Sequence, residues 1–194
     1  ALCKQDPKSA EIIKPILRGR DIKAYESNWA GLWIINTHNG YKNNLAIDID
    51  NYPAIKTHLH QYFPQLKKRC DQGKTPYNLR DCAYLAEFEK EKIVYPIISS
   101  EPRFTFDDSN YYTNDKCFLI TSNNNLQSLL AILNSCLSFW YLCQIGSLLG
   151  TTGFEFRKVY VEQLPIPQIS KSKQQPFIKL ANKIIQAKQD SKDT

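Results

Sequence analysis

Hydrophobic positions along the chain change period several times, and each change predicts an element. Residues 1–11 are polar and expected to be flexible. Gly31-Leu32-Trp33-Ile34-Ile35-Asn36 reads as a short buried strand, and Asn39-Gly40 is a turn signal. From Tyr52 the period becomes helical through Ile55, Leu59, Tyr62, Phe63 and Leu66, with Pro64 placed to kink or interrupt the helix. A turn-rich polar connection over residues 70–80 follows. Lys92–Ile98 is a β-branched strand whose Pro96 suits an edge or a bulge. Arg103–Phe106 alternates as a strand does, and Lys116–Thr121 predicts another. The aromatic segment 107–115 between them predicts a protruding loop. Leu126, Leu129, Leu130, Leu133, Leu137 and Trp140 trace one helix buried in the core. A loop and short strand are expected over 151–160, and Leu164-Pro165-Ile166-Pro167 stops regular structure. Phe177, Ile178, Ala181, Ile184 and Ile185 then form an amphipathic helix whose apolar stripe needs a partner surface. The fold class is mixed α and β (α+β): one domain with a mixed sheet, a buried core helix and a C-terminal amphipathic helix.

Composition narrows the classes. At 194 residues, with 42% hydrophobic and 23% charged residues, the chain can bury a core and is not a disordered segment. Residues 117–154 contain no charged side chain, yet Asn123, Asn124, Asn125, Gln127, Asn134 and Gln144 interrupt them. A membrane span needs ~20 predominantly apolar residues, so no membrane partner is expected. The chain opens Ala1-Leu2-Cys3-Lys4 and contains no methionine, which reads as a piece of a larger protein. No apolar signal-peptide region precedes Lys14. Cys3, Cys70, Cys82, Cys117, Cys136 and Cys143 show no C-x-x-C spacing. They read as reduced, mostly buried thiols of a cytoplasmic protein. His58 and His60 lie two apart in a helical pattern and point to different faces, so exposed histidines are expected there and not zinc ligands.

The net charge of +6 is a mild pull toward polyanions. It is concentrated in one stretch, IIKPILRGRDIKAY, with four cations and one anion over residues 12–25 and a glycine between two arginines. Glycine allows close backbone approach, and guanidinium groups offer fork-shaped donors to an anion. No G-x-G-x-x-G, Walker lysine, H-E-x-x-H or nucleophile elbow occurs, so no catalytic residue is assigned. Asp6 with Asp21-Ile22-Lys23 imitates a PD-D/ExK nuclease carboxylate set, but D-x-K is common by chance. Asp107, Asp108 and Asp115 are read as turn formers and local ion-pair partners, and no metal site is assigned. Lys67-Lys68-Arg69 suits a helix C-terminus as well as it suits phosphate.

What remains is cations mixed with aromatics on connections. Candidate DNA-binding residues are Arg18, Gly19, Arg20, Lys23, Lys42, Arg80, Arg103, Lys116, Arg157 and Lys158, with asparagines at 36, 39, 43 and 44 beside the first turn. Point charges and forks suit phosphate, while planar bidentate donors and amides suit base edges.

The run KPILRGRDIKAY resembles the opening of the TaqI-like C-terminal specificity domain of type IIG restriction-modification enzymes. TPYNLRDC, EKIVYPIISSEPRFTFDDSNYYTNDKCFLI, LLAILNSCLSFWYL and VYVEQLPIP follow in that family's order. The resemblance implies a flexible lead-in over 1–11, a DNA target recognition domain over 12–170, and the start of a spacer helix with a polar tail over 171–194. Double-stranded DNA and an upstream methyltransferase domain of the same polypeptide are the implied partners. No cofactor is expected in this chain; S-adenosylmethionine and Mg²⁺ are expected for the parent, an adenine-N6 methyltransferase with restriction endonuclease activity. Arg18, Gly19, Arg20, Asp21 and Arg80 match shared positions, so the Arg18-Gly19-Arg20 loop is expected to clamp phosphates or sit at the junction with the catalytic domain, with Asp21 orienting one arginine or Glu11 or Glu26 pairing with them internally. Arg103, Lys116, Arg157 and Lys158 are the expected base readers. The alternative is a module like the specificity subunit of a multisubunit restriction system, whose terminal helix docks partner subunits.

Overall fold

The computed structural model describes residues 1–42, 44–150 and 153–192. The first elements are α1 (Leu2–Gln5), β1 (Ile13–Leu17), β2 (Ile22–Lys23), β3 (Glu26–Ser27), β4 (Trp33–Ile35), α2 (Pro53–His60) and α3 (Phe63–Lys67). Five strands follow: β5 (Lys92–Pro96), β6 (Ile98–Ser99), β7 (Thr105–Asp107), β8 (Tyr112–Thr113) and β9 (Cys117–Ile120). The chain continues through α4 (Leu126–Leu133), α5 (Cys136–Ile145), β10 (Leu148–Leu149), β11 (Gly153–Glu155), α6 (Lys158–Val161) and α7 (Lys171–Asp190). The class is the mixed α and β one expected. Contacts divide the chain into two compact units, Ala1–Pro15 with Trp33–Ala86 and Ile16–Leu32 with Glu87–Thr194.

The first unit packs Ile12, Ile49, Tyr52 and Ile55 into a small core, with Leu2, Ile35, Leu59 and Tyr77 against it. Residues 1–11 hold α1 and a 3-10 turn at Pro7–Glu11. Asp6 caps that turn by accepting from the Lys8 amide at 3.2 Å and the Ser9 hydroxyl at 2.9 Å. Leu2 supplies the apolar anchor. The first half of β1 runs antiparallel to β4, with Ile13 opposite Ile35 and Pro15 opposite Trp33. The β4 strand is less buried than expected, because Trp33 is exposed. The helical stretch from Tyr52 breaks at Gln61-Tyr62, and Pro64 opens a second helix at a position where its missing N–H costs nothing.

In the second unit β5 is the central strand, antiparallel to β7 and to β9. Its period of two sends Ile93 and Tyr95 into the main core with Phe104, Leu130 and Phe156. Val94 faces the opposite way, with Leu17, Ile22 and Cys117. Pro96 therefore sits on a central strand, not at the edge or bulge expected. It is tolerated because pairing with β7 ends at Val94. The next amide, Ile97, donates to Lys116 O on the β9 side at 2.9 Å, so the Pro96 nitrogen faces the side where no partner strand remains.

Residues 107–115 do not protrude. Asp107 is buried and accepts from the Ser109 and Tyr111 amides at 2.9 and 3.1 Å, and it pairs with fully buried Lys92 at 2.6 Å. The turn so formed brings β8 parallel to the second half of β1, Ile16 opposite Tyr112 and Leu17 opposite Thr113.

The single core helix expected over 126–140 is two helices meeting at 65°. Asn134 stops the first: its amide is turned to the backbone of Phe104, accepting at 3.1 Å and donating at 2.9 Å. Ser135 caps the second by accepting from the Ser138 amide at 3.1 Å. The bend leaves Leu137 and Trp140 exposed where a straight helix would bury them. No single helix among the described residues is long and apolar enough to cross a membrane. The partner of the α7 stripe is α4, and Ala181 is buried there. The cysteines are also less buried than expected: only Cys117 is buried, while Cys3, Cys70 and Cys136 are exposed.

Candidate nucleic-acid interface

The second half of β1 delivers the chain into a 3-10 turn at Gly19–Asp21. Asp21 is 5% exposed and takes three hydrogen bonds from Arg18: its Oδ2 accepts from the amide at 2.8 Å and from Nε at 2.9 Å, and its Oδ1 from Nη2 at 2.7 Å. These bonds hold the Asp21 carboxyl below the ordinary carboxylate range and raise the Arg18 guanidinium above its own. Arg18 thus pairs with Asp21, not with Glu11 or Glu26. Its Nη1 and the second hydrogen of Nη2 are not used in these bonds, so the fork is oriented with donors to spare.

Gly19 answers to an internal neighbour. A β-carbon there would lie 3.3 Å from Pro96 Cβ and 3.4 Å from Lys116 O. The glycine lets the arginine turn close down on β5 and the start of β9. Arg20, next in line, is exposed and has no ion-pair partner among the described residues.

After the turn, β2 and β3 form a hairpin with Lys23 opposite Glu26. Tyr25 takes φ +62° there, a strained value for a non-glycine residue, and its amide donates to Phe104 O at 2.9 Å. The hairpin is also held by the end of α7, where Lys192 donates to Ser27 O at 2.9 Å and pairs with Glu26 at 3.1 Å.

Arg18, Gly19 and Arg20 line an open groove of about 420 Å³ together with Pro96, Ile97, Ile98, Arg103, Asn114 and Lys116. Five of the ten candidate residues therefore converge, from three segments far apart in sequence. Arg103 is half-buried and directed by Glu101, which accepts from Nε at 2.9 Å and Nη2 at 2.8 Å. Lys116 is exposed beside Asp115 at 2.7 Å, and this bond draws the Asp115 carboxyl below its usual range. Asn114 was not singled out by its sequence. Its Oδ1 accepts from the Lys116 amide at 3.2 Å, which shapes the turn. An N-D-K turn is too common a pattern to mark such a residue in advance.

The other candidates lie elsewhere. Arg157 follows β11, whose Glu155 is opposite Ile98, and it pairs with Glu155 at 2.8 Å. Lys158 opens α6 and lies 3.9 Å from Glu162. Lys23 is exposed on β2. Lys42 and Arg80 belong to the first unit, Lys42 over the Tyr41 ring at 5.3 Å and Arg80 at 3.4 Å from Asp71. Of the asparagines beside the first turn, Asn43 lies outside the described residues, as do Thr151 and Thr152 of the 151–160 segment. The carboxylates of the nuclease-like pattern are both engaged locally, Asp6 as a cap and Asp21 by Arg18.

The chain is similar to several proteins. The family model described as the TaqI-like C-terminal specificity domain matches residues 14–166. The Type II methyltransferase M.BstVI of Geobacillus stearothermophilus is 22% identical over 161 residues, covering 81% of this chain and 28% of that protein. The fold matches that of the Type IIL restriction-modification enzyme MmeI, solved in complex with DNA. The TM-score is 0.67 at 14% identity, over 97% of this chain and 25% of that one. The chain thus spans about a quarter of the length of each of these relatives. On the extent of the family match, this chain belongs to the TaqI-like C-terminal specificity domains.

Proposed function

We propose that this chain is the DNA target-recognition module of a restriction-modification enzyme. It would position duplex DNA for adenine-N6 methylation, and for cleavage, by domains outside this chain. The observation that carries the reading is the convergence of Arg18, Arg20, Arg103 and Lys116 on one groove. Each of three is directed by an acid within three residues, and Arg20 is left to meet an external anion. In this role Arg18 and Arg20 grip phosphates, while Arg103 and Lys116 reach base edges, where a bidentate pair discriminates by about 1–3 kcal/mol. Arg157 and Lys158 extend the reading set from β11 and α6, and Lys23, Lys42 and Arg80 add backbone contacts. The family match over 14–166 supports residues 12–170 as the recognition domain, and in this reading 171–194 would begin a spacer helix. An upstream methyltransferase domain of the same polypeptide would bind S-adenosylmethionine, and Mg²⁺ would serve any cleavage step. The methyltransferase relative supports the first of these.

Exposed Phe177 and Leu180 on α7 favour a second reading, a specificity-subunit-like module whose last helix docks a partner subunit. A methyltransferase reading frame continuous with this one separates the two. The test of recognition itself needs no known target. The chain is mixed with a pool of randomised duplexes at low salt, and the retained DNA is sequenced. Enrichment of one short motif, lost on Arg103→Ala with Lys116→Ala, is expected. Retention without enrichment overturns the reading.

A further inference from the structure

The first compact unit carries ten Lys and Arg against six Asp and Glu, so four of the six excess positive charges lie there. That surface is built and not merely solvated. Asn78, 3% exposed, is its hub: its amide donates to Ile47 O at 2.8 Å, and its Oδ1 accepts from the Thr75 hydroxyl at 2.7 Å. Thr37 reaches the same segment, donating from its hydroxyl to Tyr77 O at 2.7 Å and accepting from the Leu79 amide at 2.8 Å. Arg69 is turned inward, with Nη2 donating to Pro76 O at 2.9 Å and Asn78 O at 2.8 Å. Asn39 closes the arrangement by accepting from the Lys74 amide at 2.6 Å and donating to Asp81. Gly73 makes that contact possible, since a β-carbon there would meet the Asn39 side chain and stand 2.6 Å from Leu79 O.

These bonds fix two connections against each other, the turn after Asn39 and the loop 70–80. Gln72 adds the end of α3, donating to Lys67 O and Arg69 O at 2.7 Å each. The cations left on the outside are Lys42, Lys67, Lys68, Lys74 and Arg80, all exposed. Lys67, Lys68 and Lys74 have no ion pair among the described residues, and the Arg80–Asp71 pair is exposed on both sides and so weak. A lattice of backbone and amide bonds thus presents Lys67, Lys68 and Lys74 without an ion pair among the described residues.

We propose that the first unit makes its own contact with the DNA backbone. The lock of Asn39, Gly73 and Asn78 holds Lys42, Lys67, Lys68 and Lys74 toward phosphates, independently of base reading in the second unit's groove. The proposal rests on the DNA-recognition reading. Ammonium groups suit it because they bind phosphate as point charges without a planar partner.

The test measures affinity of the whole chain for a short random-sequence duplex by fluorescence anisotropy across a salt series. Four substitutions together, Lys42→Ala, Lys67→Ala, Lys68→Ala and Lys74→Ala, should flatten the slope of log affinity against log salt by about 2–4 units, at roughly 0.9 per phosphate. A charge-matched control on α7, Lys171→Ala, Lys173→Ala, Lys179→Ala and Lys183→Ala, should flatten it by less than about one unit. Asn39→Ala keeps every cation but unpins Lys74. It should weaken binding about three- to tenfold, as loss of one to two ordering hydrogen bonds does, with the circular dichroism spectrum kept. If the first-unit variant keeps the wild-type slope while Arg20→Ala flattens it, this proposal falls and the groove reading stands. Equal flattening by the α7 control assigns binding to net charge and overturns the proposal. If the wild-type chain binds no duplex at low salt, both readings fall.

Discussion

Lys92→Met should cost this fold more than any surface charge it carries. Lys92 and Asp107 have side chains 0% and 1% exposed, and their Nζ–Oδ2 distance is 2.6 Å. The other two ammonium hydrogens go to Phe88 O at 2.7 Å and Lys90 O at 3.3 Å, so all three donors are used. Methionine keeps the stem's volume but strands the Asp107 carboxylate in the interior, together with one buried carbonyl. Removing one member of such a pair costs about 3–5 kcal/mol, against a total stability of about 5–15 kcal/mol. With a urea m-value near the top of the usual ~1–3 kcal/mol per M, the midpoint should fall by roughly 1–2 M. The damage has a direction. Asp107 turns the chain into β8, which pairs with Leu17 one residue before Arg18, so amides of 107–113 should lose hydrogen-exchange protection first. Asp107→Ala alone should also destabilise. Its combination with Lys92→Met should cost less than the sum by ~1–3 kcal/mol, because the second change removes the stranded charge. A midpoint change worth under about 1 kcal/mol for Lys92→Met, or strict additivity in the double variant, would refute this account.

Asp21→Asn should release Arg18 and weaken duplex binding, measured by anisotropy, with the helix content kept. Because Arg18 depresses the Asp21 pKa, the clamp's contribution is present above the unfolded carboxylate value near 3.9 and is lost as pH falls through the lower folded value. The acid limb of urea midpoints should therefore be shallower in Asp21→Asn than in wild type. Gly19→Ala should cost about 1–3 kcal/mol by crowding Pro96 and Lys116, read as a urea midpoint. Burial pushes the Cys117 thiol up to about 12, so iodoacetamide at mildly alkaline pH should label Cys3, Cys70 and Cys136 while sparing Cys117, followed by peptide mass spectrometry. The chain alone, given duplex DNA with labelled S-adenosylmethionine or with Mg²⁺, should neither methylate nor cleave it; methyl transfer or nicking by homogeneous protein would revive the Asp21-Ile22-Lys23 nuclease alternative.

Local punctuation was legible in the sequence, and long-range packing was not. Pro64 marked the break between α2 and α3, and Ala181 with Ile184 and Ile185 marked the inner face of α7. The break between α4 and α5 was hidden because its cause is distant: Asn134 is held by the backbone of Phe104, thirty residues away. The same holds for 107–115, where polar and aromatic residues imitate an exposed loop until Lys92 supplies the buried partner for Asp107. The Arg18–Asp21 pairing was foreseeable because it is three residues long. That Gly19 faces Pro96 was not, since β5 lies more than seventy residues on. TPYNLRDC was visible as a motif, yet its central Asn78 acts through bonds to Ile47 and to the loop itself, so its role appears only in three dimensions.

Three of the groove's four cations share one design. Arg18 leans on Asp21, Arg103 on Glu101 and Lys116 on Asp115, each an acid one to three residues away, and beside the groove Arg157 leans on Glu155 in the same way. A cation without such a support would sweep many rotamers, and ordering it at binding costs about 0.5–1.5 kcal/mol per side chain. The acid removes part of that cost in advance. The surface pairs are worth only about 0–1 kcal/mol, so a phosphate or base edge can displace the carboxylate. Asp21 is the exception: buried and triply bonded, it stays with Arg18, which then binds with its remaining donors only. Two kinds of site follow in the proposed role. The Arg18 turn is fixed in shape and suits a contact common to every target. The Arg103 and Lys116 pairs are exchangeable, and a change of target at those positions requires replacing cation and acid together. Arg103 changed alone would leave Glu101 facing the DNA unpaired, repelling phosphate without reading a base.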